Sequence, residues 1–308
     1  MKRIAEPALL AAALVLPFVL GATGNEFYVG VATRILIFAL AATALNFIVG
    51  YGGMVAFGHA AFFGLGAYTV AILMNHGITA AWLTWPAAAA VAAVASLGVG
   101  LISLRTRGVY FIMITLAFAQ MLFYLVVSLK AYGGDDGLPL ASRSALPALD
   151  LADDLHFYFA VVALLAAALA LFARIDAARF GRALAGIRQN ETRMEALGYP
   201  VFRLKLACFV IGGAVAGLAG ALMANQTGLA SPNLLYWTQS GMLLVMVILG
   251  GVGSRYGGLL GALVLLGLEE WLAAITEHSA LWVGVALLLV ASFAPRGIAG
   301  LLAGRRNG

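Results

Sequence analysis

The chain has 308 residues, 63% of them apolar and 10% charged, with a formal net charge of +5 and a mean hydropathy of +1.01. Soluble domains carry roughly 45–50% apolar and about 25% charged residues, and a water-soluble fold of this length has too little interior to hide so much apolar surface. A soluble globular enzyme, a disordered chain and a collagen-like fibre are excluded; the solvent of this chain is mostly lipid.

A membrane span needs roughly 20 mostly apolar residues to cross about 30 Å of hydrocarbon. Ten stretches qualify: about 5–22, 28–49, 58–75, 80–103, 108–129, 157–174, 205–226, 236–252, 257–276 and 279–294. The predicted fold is all-α, a polytopic integral membrane protein of about ten transmembrane helices with glycine-broken segments. It forms a single transmembrane domain over residues 1–308. The first stretch follows Lys2 and Arg3 as a secretory signal would. No small-x-small cleavage site stands out and further spans follow, so it reads as an uncleaved first span. Cys208 is the only cysteine; no internal disulfide and no cysteine metal site are expected, and a thiol in an apolar span reads as inert packing.

Lys and Arg are retained on the cytoplasmic side of membranes. With the N-terminus inside, 15 of the 18 basic residues fall on that side, all but Arg34, Lys130 and Arg143. Both termini are therefore expected in the cytoplasm, and the positive charge reads as topology rather than as affinity for nucleic acid. Two loops are long. The external one, 130–156, carries Asp135, Asp136, Asp150, Asp153 and Asp154. The cytoplasmic one, 176–205, holds six basic and three acidic side chains.

Within the cytoplasmic loop, Arg188–Pro200 (RQNETRMEALGYP) has the marks of a short capped helix. Asn190 is a good N-cap, Glu191 sits where the helix dipole favours negative charge, and Gly198 and Pro200 form a stop. Leu184, Ile187, Met194 and Leu197 follow helical spacing, predicting one apolar stripe. Two readings fit: a helix that docks into a groove of a soluble partner, or a solvated basic loop that only sets topology.

Glycines crowd two regions, Gly50–Gly66 and Gly250–Gly261. Glycine weakens a helix by about 1 kcal/mol, and backbone freed within a membrane must be satisfied by protein or water. The first region reads as a broken helix lining a pathway, against close packing through small residues. The second is either its counterpart in a diverged repeat or a tight cytoplasmic turn around Arg255. Gly213, Gly217 and Gly220 form a small-residue face that reads as packing. Polar groups at membrane depth are often functional; here they are Asn46, His59, Gln120, Asn225 and Gln226. Asn46, Gly52, Gly53, His59 and Gln120 are the pathway candidates. For His59 the favoured reading is a structural histidine near the cytoplasmic interface, ahead of one that hydrogen-bonds freed carbonyls or titrates; Gln120 reads equally as a helix–helix hydrogen-bonding group. Glu269 and Glu270 are expected near the external interface. The sequence contains no GxxxxGK[ST] phosphate loop, no HExxH and no GxSxG, so no catalytic residue, metal or cofactor is expected.

Gly181–Ala224 (GRALAGIRQNETRMEALGYPVFRLKLACFVIGGAVAGLAGALMA) closely resembles the cytoplasmic loop and following span of LivM-type permeases. These are membrane subunits of ATP-binding-cassette importers for branched-chain amino acids. The resemblance continues in Leu45–Tyr68, Gly133–Pro139, Leu244–Ala262 and Ala294–Leu302, in the family's order. It implies a multi-pass subunit of the bacterial inner membrane, without ATPase activity of its own. It also implies that Arg188–Gly198 is the coupling helix, with Arg188, Glu191, Glu195 and Gly198 as contacts for the ATPase. Implied partners are a second, LivH-type permease, cytoplasmic ATPase subunits and an extracytoplasmic substrate-binding protein, with Leu, Ile and Val as leading substrates. Related permeases are associated with urea or short amides, which stand as the alternative substrates. A stand-alone secondary transporter or channel is the alternative of another class.

Overall fold

The computed structural model describes residues 26–302 apart from 148, 277, 279–280, 286 and 289–296. The expected first span, most of the tenth, and the terminal basic residues Lys2, Arg3, Arg296, Arg305 and Arg306 lie outside the described residues. Among the described residues, five helices are long and apolar enough to cross a membrane, and shorter apolar helices lie between them.

Helix α1, Glu26–Asn46, runs into a buried π-helical turn, Phe47–Tyr51. Then come α2 (His59–Asn75), α3 (Ala81–Ser103), α4 (Val109–Ser128) and α5 (Asp154–Ala177). Two short helices follow, α6 (Arg179–Gln189) and α7 (Glu191–Ala196). The longest helix, α8 (Val201–Thr227), precedes α9 (Trp237–Gly250) and α10 (Gly257–Ala273). The described span boundaries lie within a few residues of the expected ones. Helix α5 begins earlier than its apolar run because the Asp153 side chain accepts a hydrogen bond from Leu155 N–H at 2.9 Å, a cap that extends the helix outward.

Helix α8 packs along α3 and α2 on one side and along α1 on the other; α1 in turn carries α10 and α5, and α10 packs on α9. A helix that is apolar all round belongs in a core or in lipid, and this bundle uses both. The most apolar stretch of α1 is 83% buried, that of α4 only 22%. α1 is the central post, and α4 presents most of its surface outward.

The connections gather at two ends. At one, the aspartate-bearing loop contributes a strand, Leu138–Pro139, antiparallel to Leu229–Ala230, and Ala145 bridges Ala80. The other end carries the π-turn, the loop between α3 and α4, and α6 with α7. Gly213, Gly217 and Gly220 serve as packing residues. A Cβ on Gly217 would lie 2.3 Å from the Ala92 Cβ, and one on Gly220 1.7 Å from the Phe63 carbonyl.

Candidate functional site

The end of α1 is tied to the turn between α9 and α10. The Asn46 amide donates to the Ser254 carbonyl at 2.7 Å and accepts from Gly253 N–H at 2.9 Å. A planar amide that gives and takes two bonds from adjacent peptide groups fixes the turn against the helix end. The two glycine clusters meet here. A Cβ on Gly50 would stand 2.5 Å from the Gly253 Cα, and Gly253 has φ +78, a region that glycine enters without steric cost. Arg188, the penultimate residue of α6, reaches into the same junction. Its guanidinium donates through Nη1 to the Gly50 carbonyl, and its stem lies over Gly53, where a Cβ would meet Arg188 Cγ at 3.1 Å. Gly52 is buried against the Ile48 carbonyl and Met54. Asn46, Gly50, Gly53, Gly253 and Arg188 thus form one polar knot at the end of the bundle.

The π-turn supplies the geometry. Gly52 N–H reaches back to the Phe47 carbonyl at 3.3 Å and Met54 N–H to the Ile48 carbonyl at 3.2 Å. An inserted π-turn changes which carbonyls face outward, and it leaves that of Gly50 for Arg188.

Next along the chain, the short helix is capped at both ends. Asn190 Oδ1 accepts from Arg193 N–H at 2.9 Å. Gly198 follows the C-cap Leu197 with φ +83. The single apolar stripe expected from Leu184 to Leu197 does not form. Asn190 adopts an extended conformation (φ −156, ψ 100), so α6 and α7 are separate helices. Leu184 and Ile187 are buried beneath α6, whereas Leu197 is 66% exposed and Tyr199 46% exposed. Glu191 pairs with Lys205 at 2.9 Å and with Arg107 at 3.5 Å, and Glu195 pairs with Arg107 at 3.4 Å. Arg107 belongs to the α3–α4 loop, so α7 is held between that loop and the start of α8. Sequence reasoning missed Arg107 and Lys205; complementary charge was their only signal, and nothing in the sequence pairs positions 107 and 195.

His59 opens α2 and is fully buried. Its ring faces the Ala41 backbone and stands edge-on to Phe62. The following peptide is held, since Ala60 N–H donates to Ser240 Oγ at 2.9 Å. Gln120 sits on α4 with a buried Nε2 that finds no partner among the described residues. The structure therefore gathers Asn46, Gly53 and Arg188 in one junction, and leaves His59 and Gln120 on separate elements.

At the opposite end, Asn225 and Gln226 tie elements together. Asn225 accepts from Ser144 N–H at 2.7 Å, and Gln226 donates to the Gly30 carbonyl at 3.3 Å. Arg143, unmarked by any motif, donates to the carbonyls of Asn225, Leu151 and Ala152 and pairs with Asp154. Its guanidinium also lies 4.9 Å from the Phe157 ring centroid. Glu269 and Glu270 line a cleft between α1 and α10 together with Arg34 and Leu266.

The family described as branched-chain amino acid transport system, permease component, matches residues 27–292. The high-affinity branched-chain amino acid transport system permease protein LivM of Escherichia coli is 30% identical, over 94% of this chain and 73% of its own length; LivM of Salmonella typhimurium gives the same figures. LivH of E. coli, from the same kind of system, is 28% identical over 85% of this chain and 91% of its own length. No solved structure matches.

Proposed function

The chain belongs to the permease family of branched-chain amino acid transport systems, and from that premise we propose that it is a LivM-type subunit of an ATP-binding-cassette importer, carrying branched-chain amino acids inward by alternating access. The observation that carries the reading is the match over nearly the whole chain to permeases of that system. In it the chain is one permease domain, with loop 130–156 outward, loop 176–205 inward and both termini in the cytoplasm. A LivH-like permease is its membrane partner, ATPase subunits bind below, and a binding protein delivers substrate from outside.

The coupling segment suits that role physically. Helix α7 is capped at both ends, stands on two ion-paired glutamates, and shows Leu197 and Tyr199 to solvent. Exposed apolar side chains on a stiff, charged support are what a docking groove engages. Glu191, Glu195 and Gly198 hold the shape of α7, and Arg188 connects it to the ends of α1 and α9. A push on α7 is thus delivered to the Asn46–Gly253 knot without passing through flexible chain.

The test is purification with native partners and uptake in reconstituted vesicles. ATPase subunits should co-purify with the wild-type chain and be lost on Glu191→Lys with Glu195→Lys. Leucine, isoleucine and valine should compete for uptake. Competition by urea or short amides in their place would reassign the substrate. A stand-alone ion-coupled transporter has one observation in its favour, the cleft that joins Arg34 to Glu269 and Glu270, because such carriers need charged ligands in the membrane. Uptake that persists without any ATPase would make that second reading the correct one.

A further inference from the structure

Between the π-turn and α2 the chain runs without helix from Gly53 to Gly58. Its lower end lies under the Arg188 stem. Its upper end reaches α4, where Phe57 N–H donates to Thr115 Oγ1 at 3.1 Å and a Cβ on Gly58 would stand 2.7 Å from the Thr115 carbonyl. Thr115 is six residues past the first residue of α4, which places it about 9 Å along that helix. The stretch therefore rises to membrane depth as non-helical backbone.

Its side chains alternate. Met54, Ala56 and Gly58 are buried, whereas Gly53 is exposed, Val55 is 37% exposed and Phe57 is half-buried. Two of its peptide groups are anchored, Met54 N–H on the Ile48 carbonyl and Phe57 N–H on Thr115 Oγ1. Among the described residues, no group completes a hydrogen bond with the N–H of Val55 or Ala56, or with the carbonyls from Gly53 to Phe57. Hydrocarbon is a poor neighbour for such a stretch, because an unpaired peptide group there has nothing to replace the water it lost. Non-helical backbone at membrane depth persists only where protein buries it or water reaches it.

We infer that the exposed side of Gly53–Phe57, presented by Gly53, Val55 and Phe57, is the wet wall of the translocation pathway, and that the free peptide groups there are the polar lining over which a small zwitterion passes. The inference rests on the permease reading and deepens it. The N–H of the exposed Val55 suits a carboxylate, and the carbonyls on the exposed side suit an ammonium. A backbone lining reads what amino acids share and ignores their apolar side chains, so it serves substrates that differ only in those chains.

The experiment uses the whole complex with a single cysteine at position 55, in a Cys208→Ala background. A charged, membrane-impermeant methanethiosulfonate should modify Val55→Cys at least about tenfold faster than Val94→Cys on the exposed face of α3, since only a water-lined site admits a charged reagent. Phe57→Cys should react as well, which guards against a local defect at one position. Trapping the complex with ATP and vanadate should change the Val55→Cys rate. Modification no faster than at Val94→Cys, with both variants still assembled, overturns the wet wall and leaves the importer reading to its own uptake test. Fast modification that leucine leaves unchanged and urea slows upholds the wall, and moves only the substrate assignment.

Discussion

Two glycine-rich regions of this bundle look alike in sequence and differ in physics. Where α2, α3 and α8 meet, glycines remove side chains so that helices touch. A Cβ on Gly66 would lie 1.9 Å from the Gly217 carbonyl, and one on Gly213 2.5 Å from Ser96. At the Arg188 end, glycines let the chain turn. Gly53 and Gly253 take positive φ, and their surroundings are polar: Asn46, Arg188 and peptide groups. The first region is a regular-helix contact, and the second is a hinge-like junction held by side-chain hydrogen bonds. The distinguishing signal is therefore the polar company that glycines keep, rather than their number.

Substitutions separate the two regions. In the contact region the effect is largest. Gly220→Ala should destabilise by about 3 kcal/mol, because overpacking against a carbonyl moves backbone rather than a side chain, and Gly66→Val should prevent recovery of the complex on size-exclusion chromatography. A wild-type melting temperature for Gly220→Ala would show that the helices part easily, and would erase the contrast.

In the junction, Asn46→Ala orphans the Gly253 N–H and the Ser254 carbonyl. A loss of about 2 kcal/mol is expected, read as thermal stability of the purified complex, with Asn46→Asp intermediate because it keeps one of the two bonds. Arg188→Ala should act on transport more than on assembly. Uptake in proteoliposomes should fall about tenfold, in keeping with loss of a charged hydrogen bond, while ATPase subunits still co-purify; Arg188→Lys should recover part of it. Loss of ATPase binding with Arg188→Ala would instead make Arg188 a direct contact of the ATPase.

The smallest effects belong to the ion pairs under α7. Double-mutant cycles should give less than about 1 kcal/mol for each. Glu191–Lys205 should exceed Glu195–Arg107, since the Lys205 side chain is 13% exposed and that of Arg107 63% exposed. The reverse order would mean that the α3–α4 loop, rather than α8, supports the short helix.

Much of this was legible in the sequence. Spans followed from runs of apolar residues, and the α7 caps from the placing of Asn190 and Gly198, because both signals are local. The break between α6 and α7 was not legible. Asn190 caps one helix by ending another, and an apolar spacing that continues across it looks unbroken. The direction of Arg188 was equally hidden. Its resemblance-derived role points outward to a partner, and its guanidinium turns inward to Gly50, 138 residues away. The π-turn left no periodic signature, since it changes the register of a helix that is apolar on every side. The non-helical stretch at Gly53–Phe57 was visible only as a cluster of glycines; its missing partners needed a fold to be missed from.

Arg143 has a mechanical consequence. It staples the aspartate-bearing loop to the end of α8 and the start of α5, and Asn225 doubles the fastening. Helix α8 has 27 residues, a rod of about 40 Å at 1.5 Å per residue. A rod clamped at one end is a lever. A tilt of about 5° about the clamp at Asn225 sweeps Lys205, about 30 Å away where it meets Glu191, through about 2.6 Å. The staple thus converts small rotations within the bundle into travel at one end alone, and leaves the opposite rim still.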